Sequence, residues 1–246
     1  RTGRRTRRHD GAVHKKEPRA AMKVLVIENS PKAPLGLFGD HLMGRLGATL
    51  AVIGPEAVPE APGDEDLVVT LGSPSGVYEA APWMLRQGDF LARAIAADRP
   101  VIGICFGAQI IAAAIGGSVA PFGRRFAGWI ANAESAGPVW RGPWVRWHGD
   151  HLTLPDGVEV LARDQGTVQA FQHRRAVGVQ FHPEASEAIV ESWARATPDW
   201  LAENGLDHAA LMRDSRANVQ GRAEARAALF DELLRRAGVR ATAAAA

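Results

Sequence analysis

The chain contains 246 residues, 46% of them hydrophobic, which is enough apolar material for a sizeable core and excludes a wholly disordered chain. Its formal net charge is +2, but residues 1–21 hold eight bases and two acids and leave 21 bases against 25 acids elsewhere. The basic charge therefore belongs to one end, which weakens any inference to a nucleic-acid partner. The single cysteine, Cys105, excludes an intrachain disulfide and a multi-cysteine metal site, and it indicates a reducing compartment, for which we expect the cytoplasm.

The first predicted segment, residues 1–21, lacks the apolar centre of a secretory signal and is expected to be a disordered basic tail. From Met22 onward, short β-branched runs alternate with longer amphipathic stretches, which is typical of a parallel sheet with helices on both faces. In chain order we predict a strand at 23–28, a helix at 37–46, strands at 50–53 and 66–71, a helix at 83–97 and a strand at 100–104.

Residues 101–120 are apolar and about long enough to span a bilayer. The glycines inside this stretch and Pro100 before it favour a buried strand, a turn and a buried helix instead. We therefore expect no membrane partner.

The second half changes character after Gly117. Closely spaced short strands are predicted at 128–133, 144–147, 158–162, 168–171 and 177–181, a spacing that indicates antiparallel hairpins joined to the parallel core. Beyond Pro183 the chain reads as helical, and the faces formed by Ile189, Trp193, Thr197 and Trp200, and by Val219, Ala223, Phe230 and Leu234, are interpreted as packing surfaces, not as a ligand site. We expect one domain over 22–238 and a disordered, alanine-rich end at 239–246.

The segment Gly103-Ile104-Cys105-Phe106-Gly107 lies where a buried strand should turn into a helix. It has the G-x-nucleophile-x-G form of an elbow, in which the glycines allow a strained backbone that exposes the sulfur. The following helix favours the thiolate and places the amide of Phe106 near a developing oxyanion. Taken alone, the pentapeptide also fits a small buried cysteine in an ordinary turn.

A second segment, Gln180-Phe181-His182-Pro183-Glu184, ends a later strand with an imidazole and a carboxylate two residues apart. His182 suits a general base and acid, and Glu184 suits the group that orients its ring; a strand end followed by a capped helix is the alternative.

A third segment, residues 71–76 (LGSPSG), follows another strand, where backbone amides of Gly72 or Ser73 are candidate oxyanion donors. By itself this loop is better explained as a tight turn.

Together, the GICFGAQ segment around Cys105, the later QFHPE and the earlier GSP loop resemble the class I (triad) glutamine amidotransferases. The resemblance runs from about residue 23 to 184, and the helical end is similar to stand-alone members related to the glutaminase part of GMP synthetase. The fold it implies is a flavodoxin-like three-layer αβα sandwich with a mostly parallel sheet and a short antiparallel section.

The resemblance also implies roles for individual residues. Cys105 would attack the side-chain amide of glutamine and form a γ-glutamyl thioester, with His182 and Glu184 completing the triad. The amides of Phe106 and Ser73 match oxyanion donors, although most of the family has glycine where Ser73 stands. Gln109 matches a glutamine-contacting position.

The loop Trp147-His148-Gly149-Asp150 falls where related proteins place a substrate-facing segment. Backbone groups near His148 and Gly149 are candidates to hold the α-groups of glutamine, and a polar turn with a solvated Asp150 is the alternative. Most of the seven tryptophans are expected to pack inside; candidates for a partner surface are Trp140, Trp144 and Trp147.

His148, His151 and His173 show no ligand spacing on a helix face. The triad chemistry needs no metal or cofactor, so none is expected.

The sequence leaves four functions open. The first is a glutaminase that acts alone, or an amidotransferase subunit that delivers ammonia to a separate ATP-dependent synthetase, since no G-x-x-x-x-G-K-[ST] loop occurs. The second is a γ-glutamyl peptide or conjugate hydrolase with the same triad, which an open cleft would favour. The third is a non-catalytic binding protein. The last is nucleic-acid binding through the basic tail, which has no interleaved aromatic residues for stacking.

Overall fold

The computed structural model describes residues 21–239. The predicted extensions 1–21 and 239–246 lie outside these residues except for Ala21 and Val239, and the expected domain bounds stay predictions. The strands are β1 (Lys23–Ile27), β2 (Thr49–Ile53), β3 (Leu67–Thr70), β4 (Val101–Ile104), β5 (Ser118–Ile130), β6 (Glu134–Ser135), β7 (Trp144–Thr153), β8 (Glu159–Asp164), β9 (Thr167–His173) and β10 (Ala176–Val179).

Helices connect and cover these strands. They are α1 (Gly36–Leu46), α2 (Pro82–Ala96), α3 (Phe106–Ala114), α4 (Pro138–Arg141), α5 (Glu187–Ala196), α6 (Pro198–Glu203), α7 (His208–Gly221) and α8 (Ala223–Arg236), with short 3₁₀ turns at Pro55–Ala57 and Val77–Glu79. Across residues 21–239, no helix has the length and apolar character needed to cross a bilayer.

The main sheet has eight strands in the order β2-β1-β3-β4-β10-β9-β8-β6. The strands from β2 to β10 pair in parallel, and the pairs from β10 to β6 are antiparallel. Strands β5 and β7 form a separate antiparallel ribbon. This confirms the expected flavodoxin-like, mostly parallel sheet with an antiparallel section.

Alternation of side chains along β1 shows how the layers form. Val24 and Val26 pack with α1 and α8 on one face, whereas Leu25 and Ile27 pack with α2 and α3 on the other. Successive strand residues point to opposite faces of the sheet. The apolar residues of β1 therefore contribute to two hydrophobic cores, one on each face. A third cluster joins helices α5 to α7 to the β5–β7 ribbon.

This topology places four chain segments at one edge. Strands β1, β3, β4 and β10 are parallel, so the residues that follow them meet at the carboxyl edge of the sheet, where open α/β sheets bind ligands. Those residues include the three segments singled out in the sequence.

Two predicted elements differ from the structure. The strand expected at 128–133 is the end of the much longer β5, which carries a register shift between Pro121 and Phe126; an irregular strand of this kind hides its alternation. The single helix face expected from Ile189 to Trp200 is divided, because α5 ends at Ala196 and α6 starts at Pro198.

Candidate active site

Cys105 joins β4 directly to α3, as the sequence predicted. Its backbone has φ 54° and ψ −110°, a conformation that non-glycine residues rarely adopt and that is costly unless the surroundings hold it. The cysteine N–H donates to Val179 O at 2.8 Å, and its carbonyl accepts from Gln109 N at 3.0 Å. These two bonds fix the turn and hold the sulfur at the sheet edge.

The glycines that flank the cysteine are required by close packing. A Cβ on Gly103 would lie 2.5 Å from the carbonyl oxygen of Gly107, and a Cβ on Gly107 would lie 2.0 Å from Thr70 O. Helix α3 therefore approaches β3 and β4 more closely than any side chain would allow, and this contact directs its N-terminus at the sulfur.

His182 follows β10 and is held on both sides. Its backbone N–H donates to Val145 O at 2.7 Å, and its ring Nδ1 lies 2.7 Å from Glu184 Oε1. Both side chains are buried. Because Nδ1 is paired with Glu184, Nε2 is the ring nitrogen available to Cys105, and both residues line the same cavity.

Opposing effects set the protonation of His182. Burial alone would lower its pKa, but the carboxylate of Glu184 and the sulfur of Cys105 outweigh burial and raise the pKa to about 10. The protonated imidazole is therefore the form that this site favours at neutral pH.

The candidate oxyanion donors surround the same point. A Cβ on Gly72 would lie 3.4 Å from His182 Cε1 and 4.0 Å from Cys105 Cβ, so the loop after β3 passes directly over the triad. Ser73 also borders the cavity. Phe106 is the first residue of α3, so its backbone N–H has no partner within the helix.

Asn29, at the end of β1, fixes this loop. Its side-chain amide donates to Leu71 O at 2.8 Å and to Thr70 Oγ1 at 3.3 Å. The Leu71 carbonyl and the Gly72 N–H belong to the same peptide group. The hydrogen bond from Asn29 to that carbonyl therefore also fixes the direction of the Gly72 N–H. Asn29 belongs to none of the three predicted site segments.

Two glutamines lie behind the sulfur. Gln180 Nε2 is 3.6 Å from Cys105 Sγ, and its Oε1 accepts from Gln109 Nε2 at 3.2 Å. Gln109 borders the cavity, and its contact with substrate stays a prediction. Gln180 was not among the predicted site residues; its place in the QFHPE segment, two residues before His182, was the available signal.

The loop at 147–150, which was predicted to face the substrate, lines the cavity. His148 Nδ1 lies 2.9 Å from Asp150 O, and because a carbonyl only accepts, the ring donates through Nδ1. Burial lowers the pKa of His148 to about 3, so the ring is neutral. Its Nε2 is an acceptor that finds no partner within residues 21–239.

These groups enclose a cavity of about 210 Å³. This is smaller than the roughly 300–1,000 Å³ of pockets for drug-sized ligands, so the cavity suits a molecule the size of an amino acid. Its lining comprises Ser30, Lys32, Ala33, Gly72, Ser73, Pro74, Ser75, Cys105, Gln109, Trp147, His148, Gly149, Asp150, His182, Trp193, Ala196, Thr197 and Trp200.

A larger groove of about 680 Å³ adjoins the cavity at Gly149 and includes Arg124, Arg125 and Glu203. It is open to solvent and contains no nucleophile, so we assign the chemistry to the smaller cavity. Within the described part of the chain, no group of three His, Cys, Asp or Glu side chains is arranged to hold a metal.

Comparison with known proteins matches residues 41–189 to the family described as glutamine amidotransferase class-I. The chain belongs to this family. The matched segment includes Gly72, Cys105, His182 and Glu184, but it ends before the last helices.

Individual relatives of this amidotransferase domain differ in activity. The chain is 33% identical over 174 residues to a GMP synthase [glutamine-hydrolyzing] from Thermomicrobium roseum, which is 62% of this chain and 31% of the relative. It is 31% identical over 168 residues to a gamma-glutamyl-L-1-hydroxyisopropylamide hydrolase from a Pseudomonas species, which is 58% of this chain and 55% of the relative. The chain thus spans between one third and just over one half of these curated relatives.

A solved glutamine amidotransferase from Thermotoga maritima has the same architecture. It superposes with a TM-score of 0.74 at 25% identity, covering 88% of this chain and 97% of that chain.

The tryptophans of this class-I domain correct two expectations. Trp193, Thr197 and Trp200 were interpreted as a packing surface, but all three line the cavity. Of the tryptophans considered for a partner surface, Trp140 and Trp144 are buried in the core, and Trp147 also lines the cavity.

Proposed function

We propose that the chain hydrolyses the side-chain amide of glutamine through a γ-glutamyl thioester on Cys105. One observation carries the proposal. A sulfur held on a strained turn, an imidazole that faces it and a carboxylate bound to that imidazole border one cavity the size of an amino acid. This is the arrangement of an activated nucleophile, its base and the group that orients the base.

The steps follow from the geometry. The sulfur of Cys105 attacks the amide carbon, a C–S bond forms, and charge moves to the carbonyl oxygen. When that intermediate collapses, the C–N bond breaks and His182 gives its proton to the departing nitrogen, which leaves as ammonia. Water then attacks the thioester, His182 takes a proton from it, and the C–S bond breaks to release glutamate.

Backbone amides of Gly72, Ser73 and Phe106 are the proposed donors to the oxyanion. Each such donor is worth about 10²–10³ in rate. The serine at position 73 keeps a backbone N–H where the family commonly has glycine, so this departure leaves the donor in place. Glu184 keeps the His182 ring oriented and stabilises its protonated form.

The residues from the 147–150 loop are proposed to help hold the α-groups of the substrate. His148, Gly149 and Asp150 line the cavity together with Gln109. The neutral ring of His148 has a buried acceptor, Nε2, without a partner in residues 21–239, and the α-ammonium of glutamine is a donor that suits such an acceptor.

A direct test uses the fact that Cys105 is the only cysteine. Incubation with glutamine should release glutamate and ammonia, and a γ-glutamyl diazomethyl ketone should add one label at Cys105, located by mass spectrometry. Cys105→Ala should abolish both results. If Cys105→Ala still hydrolyses glutamine, the assigned nucleophile is wrong.

A second candidate function is hydrolysis of a γ-glutamyl amide that bears a larger amine. The cavity is also lined by Trp193, Ala196, Thr197 and Trp200, and Trp193 packs on the His182 ring. A departing ammonia is too small to contact all of these side chains. The hydrolase from Pseudomonas, whose name specifies such an amide, supports the same candidate.

The fate of the ammonia is a separate proposal. The aligned region is 31% of a GMP synthase relative, which supports a synthetase as the consumer of the ammonia. We propose that this synthetase is a separate chain. Stimulation of glutamine hydrolysis by that chain with its ATP and acceptor substrate would support the amidotransferase role.

A further inference from the structure

The cavity has a wall that glutamine hydrolysis leaves unexplained. This wall, formed by Trp193, Ala196, Thr197 and Trp200, comes from the end of α5 and the start of α6. It lies outside residues 41–189, the segment that matches the family. The family match therefore does not assign the chemistry of this wall.

The wall borders His182, the proposed proton donor to the leaving group. His182 must deliver its proton to the departing nitrogen, so any substituent on that nitrogen extends past the imidazole ring. The side chain packed against that ring is Trp193, with ring centroids 4.6 Å apart. Ala196 and Thr197 continue the wall from there.

The polar atoms of the wall are used internally. Trp193 Nε1 donates to Lys32 O at 2.6 Å, and Trp147 Nε1 donates to Thr197 Oγ1 at 3.2 Å. The Thr197 hydroxyl in turn donates to Trp193 O at 2.9 Å. The wall therefore presents mainly carbon to the cavity.

Charges near the wall are also balanced. Arg125 lies over the Trp200 ring at 5.2 Å, where it pairs with Asp199 at 2.6 Å and with Glu203. A charged group on the leaving amine would lose water against the indole faces, and the one lysine or arginine that borders the cavity within residues 21–239 is Lys32. An uncharged apolar group loses nothing and gains buried area.

We infer that this wall is a leaving-amine subsite and that the preferred substrate is a γ-glutamyl amide of a short, uncharged alkylamine. The inference rests on the proposed thioester chemistry. The C–N bond of the amide breaks as the C–S bond to Cys105 forms, His182 supplies the proton, and the neutral amine leaves along the wall.

Two isosteric substrates test the chemistry of the wall. γ-Glutamyl-isopropylamide and γ-glutamyl-alanine differ by a methyl group in place of a carboxylate. The isopropylamide should have the higher kcat/KM by at least about tenfold, with glutamine measured alongside both. The alanine compound also tests Lys32, whose exposed ammonium would favour a carboxylate.

Two substitutions on one helix test the location. Ala196→Leu places bulk in the wall and should lower kcat/KM for the isopropylamide about tenfold more than for glutamine. Ala188→Leu is the matched control, because Ala188 is also exposed but lies about 12 Å back along α5; it should leave the ratio unchanged. Trp200→Ala should lower the same ratio by removing apolar contact.

The outcomes separate the inference from the proposed function. If glutamine is hydrolysed but the isopropylamide is no better than γ-glutamyl-alanine, or if Ala196→Leu and Ala188→Leu behave alike, the subsite is refuted and the glutaminase stands. If no substrate is cleaved and Cys105 is not acylated, both are refuted. A higher isopropylamide rate that only Ala196→Leu and Trp200→Ala reduce supports the subsite.

Discussion

Replacement of Glu184 by Gln isolates the group that controls the proton on His182. The structure raises the pKa of His182 to about 10, compared with about 6.5 for an ordinary histidine. This difference corresponds to roughly 5 kcal/mol in favour of the protonated ring. Burial acts in the opposite direction, so the glutamate carboxylate, at 2.7 Å from Nδ1, and the cysteine sulfur supply all of the gain.

Glutamine at position 184 keeps a hydrogen-bonding side chain but loses the charge. Loss of a neighbouring charge of this kind moves a pKa by about 1–3 pH units, so the pKa of His182 should fall by about that amount. The direction of the change in the pH profile follows from the raised pKa. The wild-type His182 ring keeps its proton until the pH rises through about 10, and the ring of the variant should lose its proton at a lower pH.

The measurement is glutamate release between pH 5 and 10.5. In the wild type the alkaline limb of kcat/KM should lie near pH 10. In Glu184→Gln it should move down by about 1–3 pH units, and kcat should fall about 10²- to 10⁴-fold as general acid–base catalysis is impaired. The rate of Cys105 alkylation by iodoacetamide near pH 6 should fall as well, since the protonated ring stabilises the reactive sulfur.

The control is Glu187→Gln. Glu187 is three residues away and pairs with Arg216 at 3.3 Å instead of with the triad. The pH profile of kcat/KM in Glu187→Gln should therefore match that of the wild type. An unchanged alkaline limb in Glu184→Gln would refute the assignment of Glu184 as the source of the raised His182 pKa.

Three further substitutions test other parts of the site. His148→Leu removes the buried acceptor and should raise KM for glutamine about 10- to 150-fold in steady-state kinetics; an unchanged KM would remove His148 from the substrate site. Gly107→Ala forces a Cβ against backbone at 2.0 Å and should destabilise the fold by about 1–3 kcal/mol in urea unfolding, whereas Gly88→Ala, where nothing lies within 4 Å, should stabilise α2 by about 0.5–1 kcal/mol. Asn29→Leu frees the peptide before Gly72 and should lower kcat by up to about 10²–10³ while KM changes little; a change confined to KM would contradict the positioning role.

The sequence predicts the centre of the site because backbone constraints mark it. Gly103 and Gly107 are required by contacts below 3 Å, and a glycine pair around a cysteine at a strand end is visible without coordinates. His182 and Glu184 are two residues apart, so a local segment contains their whole interaction. The parallel order of β4 and β10 then brings the sulfur and the imidazole together.

The cavity wall was not predictable from helical periodicity. Ile189, Trp193, Thr197 and Trp200 have the spacing of one helix face, but the residue before a proline disfavours helical geometry. Thr197, which precedes Pro198, has φ −135° and ψ 62°. The chain turns there and brings Trp200 back against Trp147, with stacked rings 6.1 Å apart.

The side-chain role of His148 was also hidden from sequence. The loop position predicted only that backbone groups near His148 and Gly149 would meet the substrate. The 2.9 Å contact between His148 Nδ1 and Asp150 O leaves Nε2 as the free ring nitrogen. Burial then leaves Nε2 without a partner within residues 21–239. Such information requires three-dimensional packing, because residues from β5, including Phe126 at 5.0 Å from the ring, supply that burial.

The position of the wall links substrate choice to catalysis. Trp193 packs on the His182 ring, and its own ring is fixed by donation to Lys32 O. A substitution at Trp193 would therefore move the proton donor and the leaving-amine subsite together, and its kinetic effect could not be assigned to either. Ala196 and Trp200 also border the cavity, but the Trp200 ring stacks on Trp147 instead of on the imidazole. Substitutions at Ala196 and Trp200 should therefore change the amine preference while the triad stays intact.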